Sequence, residues 1–290
     1  MIFLGTGAAE LIPDPFCDCE ICRYALLHPE EQRMRSSFLY DSSLCIDCGP
    51  DTPSQANRYG VSLLGVKDFL ITHTHGDHLC LENLSLLSCN SVKPHNMFTV
   101  HISEKGYEWL QKSRDSLFAV TGGENDLFSC VKREYYQFVT HKPFESFMLG
   151  DKEILPVYGF HHGNTRGETC FNYRIKQNGK SLLYALDTGT YPEESIEALQ
   201  GEALDILILD ATFGLHRLTP QDGHHDAWSF VSDLERFYKA GIIDSGTKIY
   251  ATHINHHGKV LHNQYQEFFD KNSPFSVTVA RDGMKIERGV

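Results

Sequence analysis

Three imidazoles and a carboxylate fall within six residues at His73-Thr74-His75-Gly76-Asp77-His78. Zinc-type ions take imidazole nitrogen and carboxylate oxygen, and a catalytic ion needs three protein ligands plus an open position. Histidines two apart on an extended segment present both rings to one ion. Beyond the turn at Gly76, Asp77 and His78 face a second. Two ions about 3.5–4 Å apart clamp the attacking and leaving oxygens of a displacement and turn bound water into hydroxide near neutral pH.

A second cluster, Cys17-Asp18-Cys19-Glu20-Ile21-Cys22, puts three soft thiolates in six residues. That set suits a closed tetrahedral zinc, which requires a fourth ligand from elsewhere in the chain. Such a site pins a loop and acts on stability. The nine cysteines are an odd number, and the N-terminus has no basic, apolar leader, so a disulfide framework is not expected. Cys45 and Cys48 also read C-x-x-C, but Cys45 falls inside a strand pattern. Cys80, Cys89, Cys130 and Cys170 read as small core residues.

The elements that must hold these groups are short apolar runs between Gly, Asp and Asn turns: Ile2–Gly5, Ser43–Asp47, Asp68–Thr72, Ile154–Phe160, Ser181–Asp187, Ile206–Asp210 and Lys248–Thr252. Each has the length of a buried strand. Helical patterns over 76–89, 191–200 and 227–240 lie between them. Alternating strands and helices, with no linker and no repeat, predict one α/β domain over 1–290 with an insertion around 95–150. His73, His75, Asp187 and His253 each follow the C-terminal end of a strand, as His162 follows Ile154–Phe160. Loops at one edge of a sheet converge on one site while the strands keep it rigid.

Composition narrows the function. The chain has 290 residues, 41 % of them apolar, and a formal charge of −12. No apolar run approaches the length of a membrane span, so a cytoplasmic protein is expected. Proteins that grip long polyanions carry basic surfaces, so small substrates are favoured over duplex or transfer RNA.

Residues 71–78 resemble the H-x-H-x-D-H motif of metallo-β-lactamase-fold hydrolases. Leu4-Gly5-Thr6-Gly7-Ala8-Ala9 resembles the first strand and turn of the branch holding tRNase Z and PhnP-type phosphodiesterases, and Asp47-Cys48-Gly49-Pro50 looks like that fold's Asp-x-Gly-Pro turn. The resemblance implies a four-layer αββα sandwich. It also implies a ligand set of His73, His75 and His162 for one ion and Asp77, His78 and His253 for the other, with Asp187 bridging them. The third histidine is His162 or its neighbour His161; the glycine that follows favours His162. The ions are Zn or Mn, with Fe compatible.

Cys17, Cys19 and Cys22 are similar to the C-x-C-x-x-C of PhnP-type proteins and of relatives of PQQ-biosynthesis protein B, where a distant histidine completes a structural zinc. Gly223-His224-His225-Asp226 is the matching segment, favouring His224 with His225 as alternative. The activity implied is hydrolysis of small cyclic or nucleotide-type phosphodiesters by a metal-bridging hydroxide oriented by Asp77 and Asp187, with His256, three residues past His253, as the first candidate acid. In tRNase Z a His-Glu-Ala-Thr motif supplies proton transfer; Leu209-Asp210-Ala211-Thr212 lacks that histidine and leaves Asp210 to support a ligand. This departure, and the lack of a basic glycine-rich arm, sets the tRNA 3′ endonuclease below a phosphodiesterase. A lactonase or thioesterase would use the same metals, and a non-catalytic metal-binding accessory role is the alternative outside enzymes. A homodimer is compatible with the fold.

Overall fold

Strands that are apolar on both faces need cover on both sides. In the strand Lys180–Ala185, Leu182 and Tyr184 point one way and Leu183 and Ala185 the other, and all four are buried. The computed structural model, which describes residues 1–88, 97–121, 136–219 and 223–287, shows what supplies that cover.

Two mixed sheets lie face to face. The first runs in sequence order through β1 (Ile2–Gly5), β2 (Ser37–Leu39), β3 (Leu44–Ile46), β4 (Asp68–Leu70), β5 (Phe98–Ser103) and β6 (Tyr136–His141). The second has the order β13 (Val277–Val279), β12 (Lys248–Thr252), β11 (Ile206–Asp210), β10 (Lys180–Ala185), β9 (Thr169–Gln177), β8 (Lys152–His162) and β7 (Phe147–Leu149). Phe38, Ile46 and Leu70 of the first sheet pack against Ile154, Tyr173, Tyr184 and Ile208 of the second, forming the central layer.

Helices cover the outer faces. Helices α1 (Glu20–Leu27), α5 (Glu193–Leu199), α6 (Ala227–Lys239) and α7 (His262–Asn272) bury Ile21, Ile196, Phe230, Phe237 and Phe269 against Leu183, Leu207, Ile249 and Val277. On the first sheet, α3 (Leu81–Ser88) and α4 (Glu104–Thr121) set Leu84 and Leu110 against Phe69, Val100 and Ile102. A further short helix, α2 (Thr52–Arg58), follows the Asp47–Pro50 turn. Three apolar clusters thus separate four layers, helix, sheet, sheet and helix, as the resemblance implies. The described part of 95–150 supplies β5, α4, β6 and β7; residues 122–135 lie outside the described residues, as do Cys89 and Cys130.

Strands β3–β6 run parallel, as do β10–β13. Their C-terminal ends therefore open along one rim, where loops leave the sheets. Helix α3 starts at Leu81 rather than at Gly76, because residues 73–80 are drawn into the rim as a loop.

Candidate metal centres

Two groups of donor atoms meet at the rim. In the first, His73 Nε2 lies 2.8 Å from His75 Nδ1, and His161 Nε2 lies 3.4 Å from that same nitrogen. In the second, His78 Nε2 is 3.1 Å from Asp77 Oδ2, and His253 completes the set. Asp187 stands between them: Oδ2 is 3.1 Å from His78 Nε2 and 3.2 Å from His253 Nε2, and Oδ1 is 3.9 Å from His161 Nε2. Donors about 2.0–2.2 Å from one tetrahedral ion are separated by roughly 3.3 Å.

Buried polar atoms are normally hydrogen-bonded. Here the Nε2 atoms of His78 and His253 and Oδ2 of Asp187 are buried with no hydrogen-bond partner, although they lie close together. Burial disfavours the His78 cation, but three carboxylates, Asp187, Asp77 and Asp47, outweigh it and hold its pKa well above the ordinary value. Burial lowers His73 and His75, and brings His161 down to about 4, which leaves lone pairs for a metal. Orphaned donors beside excess negative charge fit a pair of divalent cations.

Backbone conformation aims three of these residues. Asp47, Asp187 and His253 have φ of 60°, 52° and 63°, a left-handed region costing roughly 1–3 kcal/mol for a non-glycine residue and persisting only where the surroundings enforce it. Asp187 and His253 are the hinges at which β10 and β12 turn into the rim. Asp47 lies outside both donor groups described above. It accepts hydrogen bonds from the Thr72 amide and hydroxyl and from His78 Nδ1–H, fixing which ring nitrogen of His78 faces the centre. Gly49 follows because a Cβ there would lie 2.0 Å from the Asp77 carbonyl oxygen. Glu168, also buried, accepts from the Thr74 amide and hydroxyl at 3.0 and 2.6 Å and tethers the ligand loop to the β8–β9 turn.

The structure corrects three expectations. His161, not His162, joins His73 and His75. A register shift between Tyr158 and His162 in β8 leaves Phe160 and His162 exposed and turns His161 inward. The glycine after His162 has another cause: a Cβ on Gly163 would collide with the Glu168 carboxylate.

His256, not His224, completes the cysteine cluster. Its Nδ1 is 3.6 Å from both Cys17 Sγ and Cys19 Sγ, with Cys22 in the same group. Zinc at about 2.3 Å from sulfur and 2.0 Å from nitrogen places such tetrahedral neighbours roughly 3.5 Å apart. On the far side of the ring, Asp14 Oδ2 is 3.5 Å from His256 Nε2. Burial and the neighbouring Cys19 and Cys17 sulfurs push the Cys22 thiol up to about 12, a crowding that a cation relieves. The third correction follows: His256, held at the cysteine cluster, is not the proton donor of the rim.

His224 sits at the rim instead. Its Nδ1 lies 3.0 Å from Asp210 Oδ2, and its ring is 4.7 Å from that of His161 and 5.5 Å from that of His253. Burial disfavours its cation, but Asp210 outweighs burial and raises its pKa to about 9. Thr212 Oγ1 is 2.8 Å from His253 Nδ1 and itself bonds Asp210, so one carboxylate positions both rings. His225, the other histidine of that segment, is fully buried against Asp233 at 2.9 Å and reaches neither cluster.

A family model described as a beta-lactamase superfamily domain matches residues 43–254. Among solved structures, a new diphosphatase from the PhnP family is 26 % identical, with a TM-score of 0.72 over 98 % of this chain and 95 % of that one. Zinc-bound PqqB from Methylobacterium extorquens is 18 % identical, with a TM-score of 0.73 over 99 % of both chains. Human tRNase Z, short form, is 17 % identical, with a TM-score of 0.63 over 100 % and 99 %. The last two likenesses concern the fold alone. A curated octanoyltransferase of Porphyromonas gingivalis is 34 % identical over 80 residues, 27 % of this chain, which spans 16 % of that relative's length.

Proposed function

This chain belongs to the metallo-β-lactamase superfamily, and from that premise we propose that it is a hydrolase of small phosphodiesters and diphosphate esters, with two zinc-type ions at the rim and a structural zinc at the cysteine cluster. When bound, the two rim ions supply Lewis acidity toward phosphoryl oxygens and lower the pKa of water. His73, His75 and His161 would hold one, Asp77, His78 and His253 the other, with Asp187 placed between the two groups.

The residues themselves do the rest. Asp77 and Asp187 carboxylates accept hydrogen bonds from the attacking water and orient it. His224, whose Nδ1 lies 3.0 Å from Asp210 Oδ2, is placed to give a proton to the departing oxygen. General acid catalysis of this kind contributes typically about 10²–10⁴-fold. Mn is an alternative occupant, since the nitrogen and oxygen donor set admits it.

The observation that carries this reading is the meeting of orphaned His78, His253 and Asp187 atoms beside a His224–Asp210 pair. The likeness to a PhnP-family diphosphatase supports phosphorus as the reaction centre. The test is turnover of bis-p-nitrophenyl phosphate and of a 2′,3′-cyclic nucleotide by protein reconstituted with Zn or Mn. Activity abolished in Asp187→Ala is the expected result; no turnover with both ions bound contradicts the proposal.

A further inference from the structure

Beyond His224 lies a cavity of about 290 Å³ lined by Thr190, Arg217, Leu218, His224, Trp228 and Ser232, among others. It shares His224 with the candidate centre, where that residue belongs to one donor group with His161 and Asp187. The Arg217 guanidinium carbon sits over the Trp228 ring, 3.7 Å from its centroid. Trp228 is braced from the side by Phe268, ring centroids 5.1 Å apart. A stacked guanidinium keeps its edge N–H groups free for a planar or tetrahedral anion.

Among the described residues no carboxylate pairs with Arg217 and none accepts a hydrogen bond from it, in a chain whose net charge is −12. The carboxylate that shares the cavity, Asp226, is committed elsewhere: Oδ1 accepts from the Trp228 and Ser229 amides, and Oδ2 from the Leu218 amide, at 2.8–2.9 Å. The helix-terminal amides of α6 are likewise occupied by Asp226, which leaves Arg217 as the group that recognises a ligand.

We infer that this cavity is a subsite for the second phosphate of a diphosphate diester, with Arg217, held by Trp228, as its specificity-determining residue. The inference rests on the phosphoester reading above and narrows it. His224 stands between the rim and the cavity, so the departing group leaves toward Arg217. Hydrolysis adds one water across the P–O–P bridge. The hydroxyl goes to the attacked phosphorus, the proton to the departing oxygen, and two phosphate monoesters result. Charge on the departing phosphate grows as the bridge breaks, and Arg217 is placed to meet it.

The test compares metal-loaded wild type with Arg217→Met, which keeps the packing on Trp228, and Arg217→Lys, which restores charge without the paired N–H edge. Two substrates are used: ADP-ribose as a diphosphate diester and bis-p-nitrophenyl phosphate as a monophosphate diester. Inorganic pyrophosphate binding is followed by calorimetry. A hydrogen-bonded charge lost from a site weakens binding by about 10–100-fold. The expected results are a fall of that size in kcat/KM for ADP-ribose relative to bis-p-nitrophenyl phosphate, a matching fall in pyrophosphate affinity, and partial recovery in Arg217→Lys. Equal losses on both substrates, or unchanged pyrophosphate affinity in Arg217→Met, overturn the inference. If the wild type hydrolyses neither ester, the phosphoester reading fails separately, and the pyrophosphate titration still decides whether Arg217 binds the anion.

Discussion

Asp47 Oδ2 accepts a hydrogen bond from His78 Nδ1–H at 2.7 Å, with both side chains wholly buried. A ligand held in this way keeps its tautomer and ring orientation, and losing the outer partner typically costs about 10–100-fold in metal affinity. Asp47→Ala is therefore expected to weaken binding of the Asp77/His78/His253 ion by that factor, with Asp47→Asn in between. Competition with a chromophoric chelator measures it; wild-type affinity in Asp47→Ala would show that His78 needs no such support.

His224 and Asp210 yield a prediction about leaving groups. With an alkoxide leaving group, which needs a proton, His224→Ala should lower kcat by about 10²–10⁴-fold. With p-nitrophenolate, which leaves unassisted, the loss should be far smaller. Asp210 favours the His224 cation, so kcat should decline on the alkaline side as that proton is lost. Asp210→Asn removes the stabilising carboxylate and should move this limb to lower pH. A limb that stays in place assigns the proton to another group.

How much of this is legible in the amino-acid sequence depends on range. His73, His75, Asp77 and His78 are ordered by one loop, so their spacing carries the chemistry directly. Strands such as Leu182–Ala185, apolar on both faces, show that cover is needed on both sides, and the four-layer arrangement is what the resemblance implies. Sequence and structure part where geometry is non-local. Choosing between His161 and His162 depends on the β8 irregularity, which local spacing does not reveal. The exchange of His224 and His256 is a matter of distance: both follow motif segments, and only the turn after His253 and the course of the 17–22 loop bring His256 to the thiolates. Asp47 reads from sequence only as a turn residue and Glu168 carries no signal there, because their partners lie 31 and 94 positions away.

The cysteine cluster should act on stability alone. Cys19→Ser is expected to reduce the metal count by one ion per chain and to lower Tm by roughly 5–10 °C, taking about 2–4 °C per kcal/mol for a chain of this size. Below the transition, kcat should hold. Loss of kcat without loss of Tm would place the cluster in catalysis.

A pH effect on stability follows from His141, away from either cluster. Burial, with His101 adjacent, lowers its pKa to about 4 from an unfolded value near 6.5. A depressed histidine pKa means the unfolded chain binds the proton more readily. The stability is thus full above about pH 6.5 and is lost as pH falls toward 4. His141→Gln should flatten the urea-midpoint profile over that window relative to wild type; parallel profiles would refute the assignment.

The most direct test is anomalous diffraction at the zinc edge from crystals of zinc-loaded protein. The account predicts three peaks per chain: two about 3.5–4 Å apart, flanking Asp187 and ringed by His73, His75, His161, Asp77, His78 and His253, and a third among Cys17, Cys19, Cys22 and His256. A single peak at the rim, or none, would contradict it.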